Sequence, residues 1–113
     1  MDESQVIGAL SALSQETRLR MLRYLVKAGP AGAPAGEIGE AVGSSSSRNS
    51  FHLNALAQAG LITSQRQSRR IIYRVDFAKV GAMVGYLVQD CCGGNAQVLA
   101  CCQPGCCDGE GGV

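Results

Sequence analysis

Apolar residues recur at the spacing of an amphipathic helix along the first quarter of the chain. The pattern predicts one helix over residues 5–13 and a second over residues 15–28. Ser14 is the expected N-cap of the second helix, and Glu16 follows in the first turn, where the helix dipole favours an acid. The expected buried face of the second helix consists of Leu19, Leu22 and Val26, with Met21 and Leu25 beside them. Its basic residues are expected to face water mostly: Arg18, Arg20, Arg23 and Lys27.

Two further helices follow a loop rich in glycine and proline, residues 29–36. The first is short and covers residues 37–42, and the second covers residues 47–59. Gly43 ends the short helix, and Gly60 is expected to adopt the left-handed conformation that caps the longer one. The expected buried side of the longer helix consists of Phe51, Leu53, Leu56 and Ala57.

The pattern then changes from helical spacing to strand-forming residues. Ile62–Gln67 and Arg70–Val75 are predicted to form an antiparallel hairpin. Asp76 is the expected N-cap of a last helix over residues 77–89, whose apolar face is wide for the end of so small a domain. Part of that face is therefore expected to meet a second subunit. Beyond Asp90 the glycines and the loss of periodicity predict a mobile tail without regular structure unless a ligand orders it.

Charge is unevenly distributed along the chain. The 113 residues suit one domain with a modest core, and their net charge is only +1. Residues 44–75, however, contain no acidic side chain and five arginines, Arg48, Arg66, Arg69, Arg70 and Arg74. Such clustering gives the electrostatic footprint of a nucleic-acid-binding surface even where the net charge is low.

The helix over residues 47–59 opens with small hydrogen-bonding side chains, which are candidates for contact with DNA bases and phosphates. The candidates around its first turns are Ser45, Ser46, Ser47, Arg48 and Ser50. Arg48 is the best candidate for reading a guanine, because the guanidinium fork matches the two major-groove acceptors of that base. The hairpin arginines expected to contact phosphates or the minor groove are Arg66, Arg69 and Arg70. The alternative is that the serines only cap the helix and the arginine turn is only solvated.

The cysteines are the second candidate for chemistry. No stretch is apolar enough to span a membrane and the N-terminus lacks the features of a signal peptide, which predicts a cytoplasmic protein with reduced thiols. All six cysteines fall in the last quarter of the chain: Cys91, Cys92, Cys101, Cys102, Cys106 and Cys107. In a reducing compartment such a cluster favours a metal or redox site over a disulfide framework.

Several motifs occur in an order that resembles the ArsR family of winged-helix repressors. They are SQETRLRML at residues 14–22, SFHL at residues 50–53, AGLI at residues 59–62 and the pair Tyr73-Arg74. The resemblance covers residues 5–88 and implies a mainly α (α+β) winged helix-turn-helix fold, with about five helices and a two-stranded β-hairpin wing. It also implies a homodimer formed through the first and last helices, with each recognition helix in a major groove of a pseudo-palindromic operator DNA. No enzymatic activity is expected.

The same resemblance bears on four single residues. His52 would have a structural or DNA-proximal role rather than that of a metal ligand. Ser44 and Asn49 stand where the family has apolar residues, and Ser68 stands where the wing turn has a glycine. These departures concern the packing of the recognition helix and the shape of the wing, and they leave the topology unchanged.

The cysteine positions resemble those of the arsenite-responsive branch with a C-terminal thiol site. Some family members place sensor cysteines in the helix before the recognition helix, and others bind zinc between the paired last helices through Asp, Glu and His. Here the short helix has no cysteine and the last helix has no histidine, so both kinds of site are absent. As(III), with Sb(III) as an alternative inducer, takes three thiolates, and soft thiolates select such soft centres. The expected ligands are Cys91 and Cys92 with either Cys101 or Cys102, and Cys106 and Cys107 are additional candidates. Gly93-Gly94 would let the third thiol bend back to the pair.

Other interpretations of the cysteines remain open. Four thiolates could bind zinc or cadmium, the tail could bind copper(I), or the thiols could respond to oxidation. A thiol enzyme and a constitutive DNA-binding protein with a metal-buffering tail are the alternatives from other classes. The favoured hypothesis divides the chain into a DNA-binding and dimerisation domain, residues 1–90, and a flexible, cysteine-rich sensor tail, residues 91–113. Inducer binding would displace the last helix and release the operator.

Overall fold

The computed structural model describes residues 1–102, which form six helices and a three-stranded antiparallel sheet. The elements in chain order are α1 (Glu3–Leu13), α2 (Glu16–Ala28), β1 (Ala33–Pro34), α3 (Ala35–Val42), α4 (Ser46–Gln58), β2 (Ile62–Gln67), β3 (Arg70–Val75), α5 (Phe77–Gly85) and α6 (Ala96–Cys101). A 3₁₀ turn, Gly29–Ala31, follows α2, and a π-helical turn, Tyr86–Cys91, continues α5. Within residues 1–102, every helix is too short or too polar to span a lipid bilayer.

Helix α2 begins at Glu16, one residue after its predicted start. Ser14 is the C-cap of α1, and its hydroxyl donates a hydrogen bond to the carbonyl of Ser11 at 2.8 Å. Gln15 caps α2 instead, since its side-chain oxygen accepts a hydrogen bond from the backbone N–H of Arg18 at 2.9 Å. The assignment of Ser14 as the N-cap was therefore wrong, because α1 extends to Leu13 and Ser14 caps its C-terminus.

The core lies where α2, α3 and α4 meet the sheet. Its fully buried large side chains are Met21, Leu25, Ile38, Leu53, Leu56, Leu61 and Ile62. The buried face of α2 is rotated from the predicted one: Leu22 is buried, but Leu19 and Val26 are 46% and 44% exposed. Both sides of this helix carry apolar residues, so the pattern alone could not select the side that packs on α3 and α4. Phe51 was also wrongly placed in the core and is 64% exposed.

The hairpin has the predicted bounds, and a third strand lies beside it. Strands β2 and β3 pair from Ile62 opposite Val75 to Gln67 opposite Arg70. The short strand β1 pairs antiparallel with β3, with Ala33 opposite Tyr73. The sequence predicted only the two-stranded wing, because a two-residue strand inside a glycine- and proline-rich loop has no periodicity to detect.

Helix α4 is bounded by local signals. It begins at Ser46, one residue before the predicted start, with Ser45 as its N-cap. Its end at Gln58 is followed by Gly60 with a φ of +82°, which is the expected left-handed conformation. Helix α3 likewise ends at Gly43, whose φ is +71°. It begins at Ala35, inside the stretch predicted to be loop.

The chain after the wing is helical for longer than expected. Asp76 caps α5 as predicted, since its carboxylate accepts a hydrogen bond from the backbone N–H of Lys79 at 3.1 Å. The helical path continues to Cys91, after which Gly93 and Gly94 take φ values of +61° and +68° in the turn before the next helix. Helix α6 then follows, so the expected absence of regular structure beyond Asp90 is wrong for Ala96–Cys101. Residues 103–113, with Cys106 and Cys107, lie outside the described residues.

Candidate nucleic-acid interface and thiol site

The first turn of α4 presents a row of exposed polar side chains. Ser45 accepts a hydrogen bond from the backbone N–H of Arg48 through its hydroxyl oxygen at 3.5 Å, which fixes the start of the helix. The predicted contact residues Ser45, Ser46, Ser47, Arg48 and Ser50 are all exposed. They therefore lie together on one accessible helix end, where backbone N–H groups and the helix dipole favour an anion.

A polar depression of about 280 Å³ lies beside this helix end. Its lining residues are Gln15, Thr17, Gly43, Ser44, Ser45, Arg48 and His52. The first turns of α2 and α4 both contribute to it, so the positive ends of two helix dipoles border the same cavity. A phosphate suits such a surface. Gln15 and Thr17 were not predicted from the sequence, because no local pattern shows that the start of α2 lies against the start of α4.

His52 lies at the back of the depression and packs α4 on α2. It is 8% exposed, and its Nδ1 accepts a hydrogen bond from Nε of Arg18 at 3.1 Å. The pKa of His52 is lowered, first by burial and then by the positive charges of Arg18 and Arg48. The imidazole is therefore neutral at pH 7. The Arg18 guanidinium also lies 5.3 Å from the centroid of the exposed Phe51 ring, within the range of a cation–π contact.

The wing carries the second basic cluster. Arg66, Arg69 and Arg70 are exposed, and the only ion pair found within residues 1–102 joins Arg20 to Glu16. The three wing guanidinium groups therefore have no carboxylate partner in that part of the chain and present unneutralised charge.

Two other wing residues have structural roles. Arg74 donates from Nε to the carbonyl of Pro30 at 2.9 Å and from Nη1 to Oε1 of Gln65 at 2.8 Å, so it braces the base of the wing. Ser68 has a φ of +55° in the turn, the conformation for which a glycine is otherwise preferred. The departure from the family pattern at Ser68 therefore leaves the wing turn intact.

The described thiols form two separate pairs. Cys91 is exposed and Cys92 is half-buried, and their contact raises the pKa of Cys92, through the hydrogen bond with Cys91 first and through burial second. Cys101 and Cys102 lie at the end of α6, where the Cys102 thiol donates to the carbonyl of Leu99 at 3.2 Å. No three potential metal ligands come together within residues 1–102, so Cys91 and Cys92 meet without a third thiol.

An apolar groove of about 380 Å³ runs between α1 and the π-helical turn. It is lined by Glu3, Val6, Ile7, Leu10, Tyr86, Leu87, Asp90 and Cys91. Ile7 is 60% exposed, and Val84 on α5 is 49% exposed. Contiguous apolar surface of this kind is typical of a protein interface. Cys91 therefore lines an exposed apolar groove.

Comparisons with known proteins decide the family. A helix-turn-helix domain model matches residues 13–65. The HTH-type transcriptional regulator YgaV of Escherichia coli K12 is 37% identical over 83 residues, which are 74% of this chain and 82% of that protein. The chain belongs to the ArsR family of winged-helix transcriptional regulators. A probable mercury resistance operon repressor of Streptomyces lividans is 31% identical over 91 residues, 80% of this chain and 70% of the relative.

Solved ArsR-type structures share the fold. An ArsR-like transcriptional regulator from Rhodococcus sp. RHA1 superimposes with a TM-score of 0.70 at 28% identity, covering 87% of this chain and 90% of that one. The homodimeric winged helix-turn-helix DNA-binding domain Mb0332 from Mycobacterium bovis, a possible ArsR-family regulator, gives a TM-score of 0.61 at 26% identity, covering 82% and 86%.

Membership of the ArsR family confirms the winged helix-turn-helix prediction and the regulatory class. The protein is a transcriptional regulator with a DNA-binding helix-turn-helix domain, and not an enzyme. Helix α4 is its recognition helix and β2–β3 its wing. Which side chains contact DNA, which helices form the dimer and which cysteines bind an inducer stay predictions.

Proposed function

We propose that this ArsR-family regulator is a metalloid-responsive repressor. Its dimer binds operator DNA through α4 and the wing, and As(III) bound by C-terminal thiolates releases it. The observation that carries the proposal is the position of Cys91, which is adjacent to Cys92 in the chain and also lines the apolar groove beside α1. A ligand at this thiol pair would act directly on the surface most suited to the second subunit.

The DNA-binding half of the proposal is supported by the position of the exposed polar and basic groups. The serines and Arg48 lie at the end of α4, beside the polar depression, and would contact base edges and nearby phosphates. The unneutralised wing arginines would contact phosphates or the minor groove. His52 would hold α4 against α2 without touching a base, because its side chain is buried.

The thiol half of the proposal rests on soft-ligand chemistry. Thiolates select soft centres such as As(III) over hard cations. Cys91 and Cys92 would supply two ligands, and Cys101 or Cys102 would have to move to them, since residues 1–102 do not bring three ligands together. Gly93 and Gly94, both with positive φ, would be the hinge for that movement.

The proposed coupling follows from linkage. If As(III) binds a dimer geometry that differs from the operator-bound one, inducer and operator must weaken each other equally. A coupling of about 10- to 100-fold in affinity is enough for a switch. Displacement of the π-helical turn, Tyr86–Cys91, would change the tilt of α1 in the dimer and hence the spacing of the two recognition helices.

A soft metal ion is the second candidate inducer. The observation that favours it is the similarity to the probable mercury resistance operon repressor of Streptomyces lividans. Hg(II), Cd(II), Zn(II) and Cu(I) are the ions to compare, because the same thiolates bind them.

The test is operator binding by fluorescence anisotropy, with DNA from upstream of the protein's own gene. Reduced protein is titrated with arsenite, antimonite and each soft ion. We expect release by arsenite at a few equivalents, and no release from the Cys91→Ser, Cys92→Ser double variant, which must bind DNA like the parent without arsenite. Single Cys101→Ser and Cys102→Ser variants identify the third ligand. Normal release from the double variant would refute the thiol half, and absence of operator binding would refute the repressor half.

A further inference from the structure

The inward side of α4 carries a buried amide between two exposed candidate DNA contacts. Asn49 is 6% exposed, whereas its neighbours Arg48 and Ser50 are exposed. Its Nδ2 donates a hydrogen bond to the carbonyl of Ala35 at 2.8 Å. Ala35 is the first residue of α3, so this bond joins the recognition helix to the start of the helix before it.

Gly39 provides the space for the amide. A Cβ at Gly39 would lie 3.0 Å from both Cγ and Nδ2 of Asn49 and 3.2 Å from its Oδ1. Gly39 is buried in the middle of α3 and its φ is not positive, so only space requires a glycine there. A glycine within a short helix is unfavourable by itself. The close approach of α3 and α4 is therefore matched to this one side chain.

Packing alone does not explain why an amide, rather than an apolar side chain, occupies position 49. Oδ1 is buried and has no hydrogen-bond partner in the described residues. An orphaned acceptor is destabilising, and an apolar side chain of similar size would fill the same space without it. What the amide adds is directional: its Nδ2 holds α4 at one angle and one register on α3.

We propose that Asn49 is a positioning residue for operator recognition. Through Ala35 and Gly39 it fixes the orientation of α4, and with it the points that Arg48 and Ser50 reach. The inference rests on the proposed function, in that α4 contacts the operator. It adds that sequence discrimination depends on a side chain that touches no DNA.

A comparison of operator affinity with non-specific DNA affinity distinguishes this positioning role from a merely structural one. Non-specific affinity comes from charge and tolerates small changes of helix angle, whereas base contacts require correct placement. In Asn49→Leu we expect operator affinity to fall about tenfold or more, with affinity for a scrambled duplex unchanged. The melting temperature should stay close to the parent's, because removal of the orphaned oxygen offsets the lost hydrogen bond to Ala35.

The experiment measures both affinities and the melting temperature for the full chain, Asn49→Leu and the control Gln58→Leu. Gln58 is an exposed amide at the far end of the same helix, so its replacement should leave all three quantities unchanged. A ratio of operator to scrambled affinity within twofold of the parent's in Asn49→Leu would overturn the inference. Equal loss of both affinities with a lower melting temperature would also overturn it.

A double-mutant cycle keeps the test open if Asn49→Leu folds poorly. Gly39→Ala alone should lower the melting temperature by about 4 °C or more, because its new methyl meets Asn49. Gly39→Ala, Asn49→Ala should accommodate the methyl, so its effect should not be the sum of those of Gly39→Ala and Asn49→Ala measured alone, while discrimination is still lost. Additive effects, or retained discrimination, would overturn the inference. A parent protein without discrimination would instead overturn the proposed function, and the positioning role with it.

Discussion

Nε of Arg18 lies 3.1 Å from Nδ1 of His52, and this hydrogen bond joins α2 to the recognition helix. The same guanidinium covers the exposed ring of Phe51. Arg18 therefore holds two successive residues of α4 while belonging to a different helix. The bond requires an unprotonated Nδ1, so the attachment of α4 to α2 depends on the charge of one imidazole.

Protonation of His52 should destabilise the fold at mildly acidic pH. Burial first, and then Arg18 and Arg48, lowers the pKa of His52 in the folded protein. The unfolded chain takes up the proton as pH falls through about 6.5, and the folded chain does so only at lower pH. The free energy of unfolding is thus fully retained above about pH 6.5 and decreases as pH falls from there toward the lowered pKa. Urea unfolding between pH 7.5 and 5.5 measures it.

His52→Gln is the matched control for the pH prediction, because its amide oxygen can accept the Arg18 bond but does not titrate. Its stability should change less over the same pH interval than that of the parent. Equal slopes for the parent and this variant would mean that His52 is not the titrating group.

Arg48 and the wing arginines should affect DNA binding in different ways. Arg48→Ala should lose about 1–3 kcal/mol of operator binding and relax the base preference at one position. The double variant Arg69→Gln, Arg70→Gln should weaken binding to every duplex. It should also reduce the steepness of the plot of log affinity against log salt concentration by about two, because two phosphate contacts are lost. Arg23→Gln, an exposed arginine of α2, is the control. A uniform loss from Arg48→Ala would assign that side chain to phosphate instead.

Local signals were sufficient for the parts of the fold in which neighbours in sequence determine the structure. The hairpin limits follow from strand propensity, and the Asp76 cap of α5 follows from a side chain that satisfies a nearby N–H group. Helix α6 was missed because six residues are too few to show a helical period, although Asn95 caps it through two N–H groups.

The residue types of the candidate site could be predicted from the sequence. The contacts between residues that are distant in sequence could not. The Arg18–His52 bond spans 34 positions, and neither residue type reveals the other. Asn49 stood out as polar where an apolar residue was expected, but its partners Ala35 and Gly39 appear only once α3 packs on α4. The thiols were found from composition, yet their division into two pairs depends on a turn and a helix that the pattern did not predict.

A charge on α1 should dissociate the dimer. Ile7 is 60% exposed beside the apolar groove, where the proposed interface would bury it. Ile7→Glu should raise the dimer dissociation constant at least a hundredfold, about 3 kcal/mol, because an unpaired carboxylate would lose its hydration. Sedimentation at micromolar concentration measures the mass. Ile71→Glu, at a 44% exposed isoleucine of the wing, should remain dimeric. A dimeric Ile7→Glu would exclude α1 from the interface.

Gly32 should be irreplaceable although it is not itself a candidate DNA contact. Its φ is +69°, and a Cβ there would lie 2.3 Å from the carbonyl oxygen of Tyr73 and 2.6 Å from Cγ of Arg74. Gly32→Ala should cost about 2–4 kcal/mol of unfolding free energy through left-handed strain and overpacking. A Cβ at Gly8 in α1 would have nothing within 4 Å, and Gly8 has no positive φ. Gly8→Ala should therefore raise the unfolding free energy by about 0.5–1 kcal/mol. Urea unfolding of both variants gives the comparison.

The same substitution should weaken DNA binding, since the clash falls where the wing is anchored. Tyr73 pairs with Ala33, and Arg74 donates to the carbonyl of Pro30, so displacement of either moves the base of β3. Gly32→Ala should therefore lose affinity for operator and scrambled DNA alike, because the wing arginines move together. Unchanged affinity in a destabilised variant would show that the wing keeps its position without β1, and that the β2–β3 hairpin alone sets the placement of its arginines.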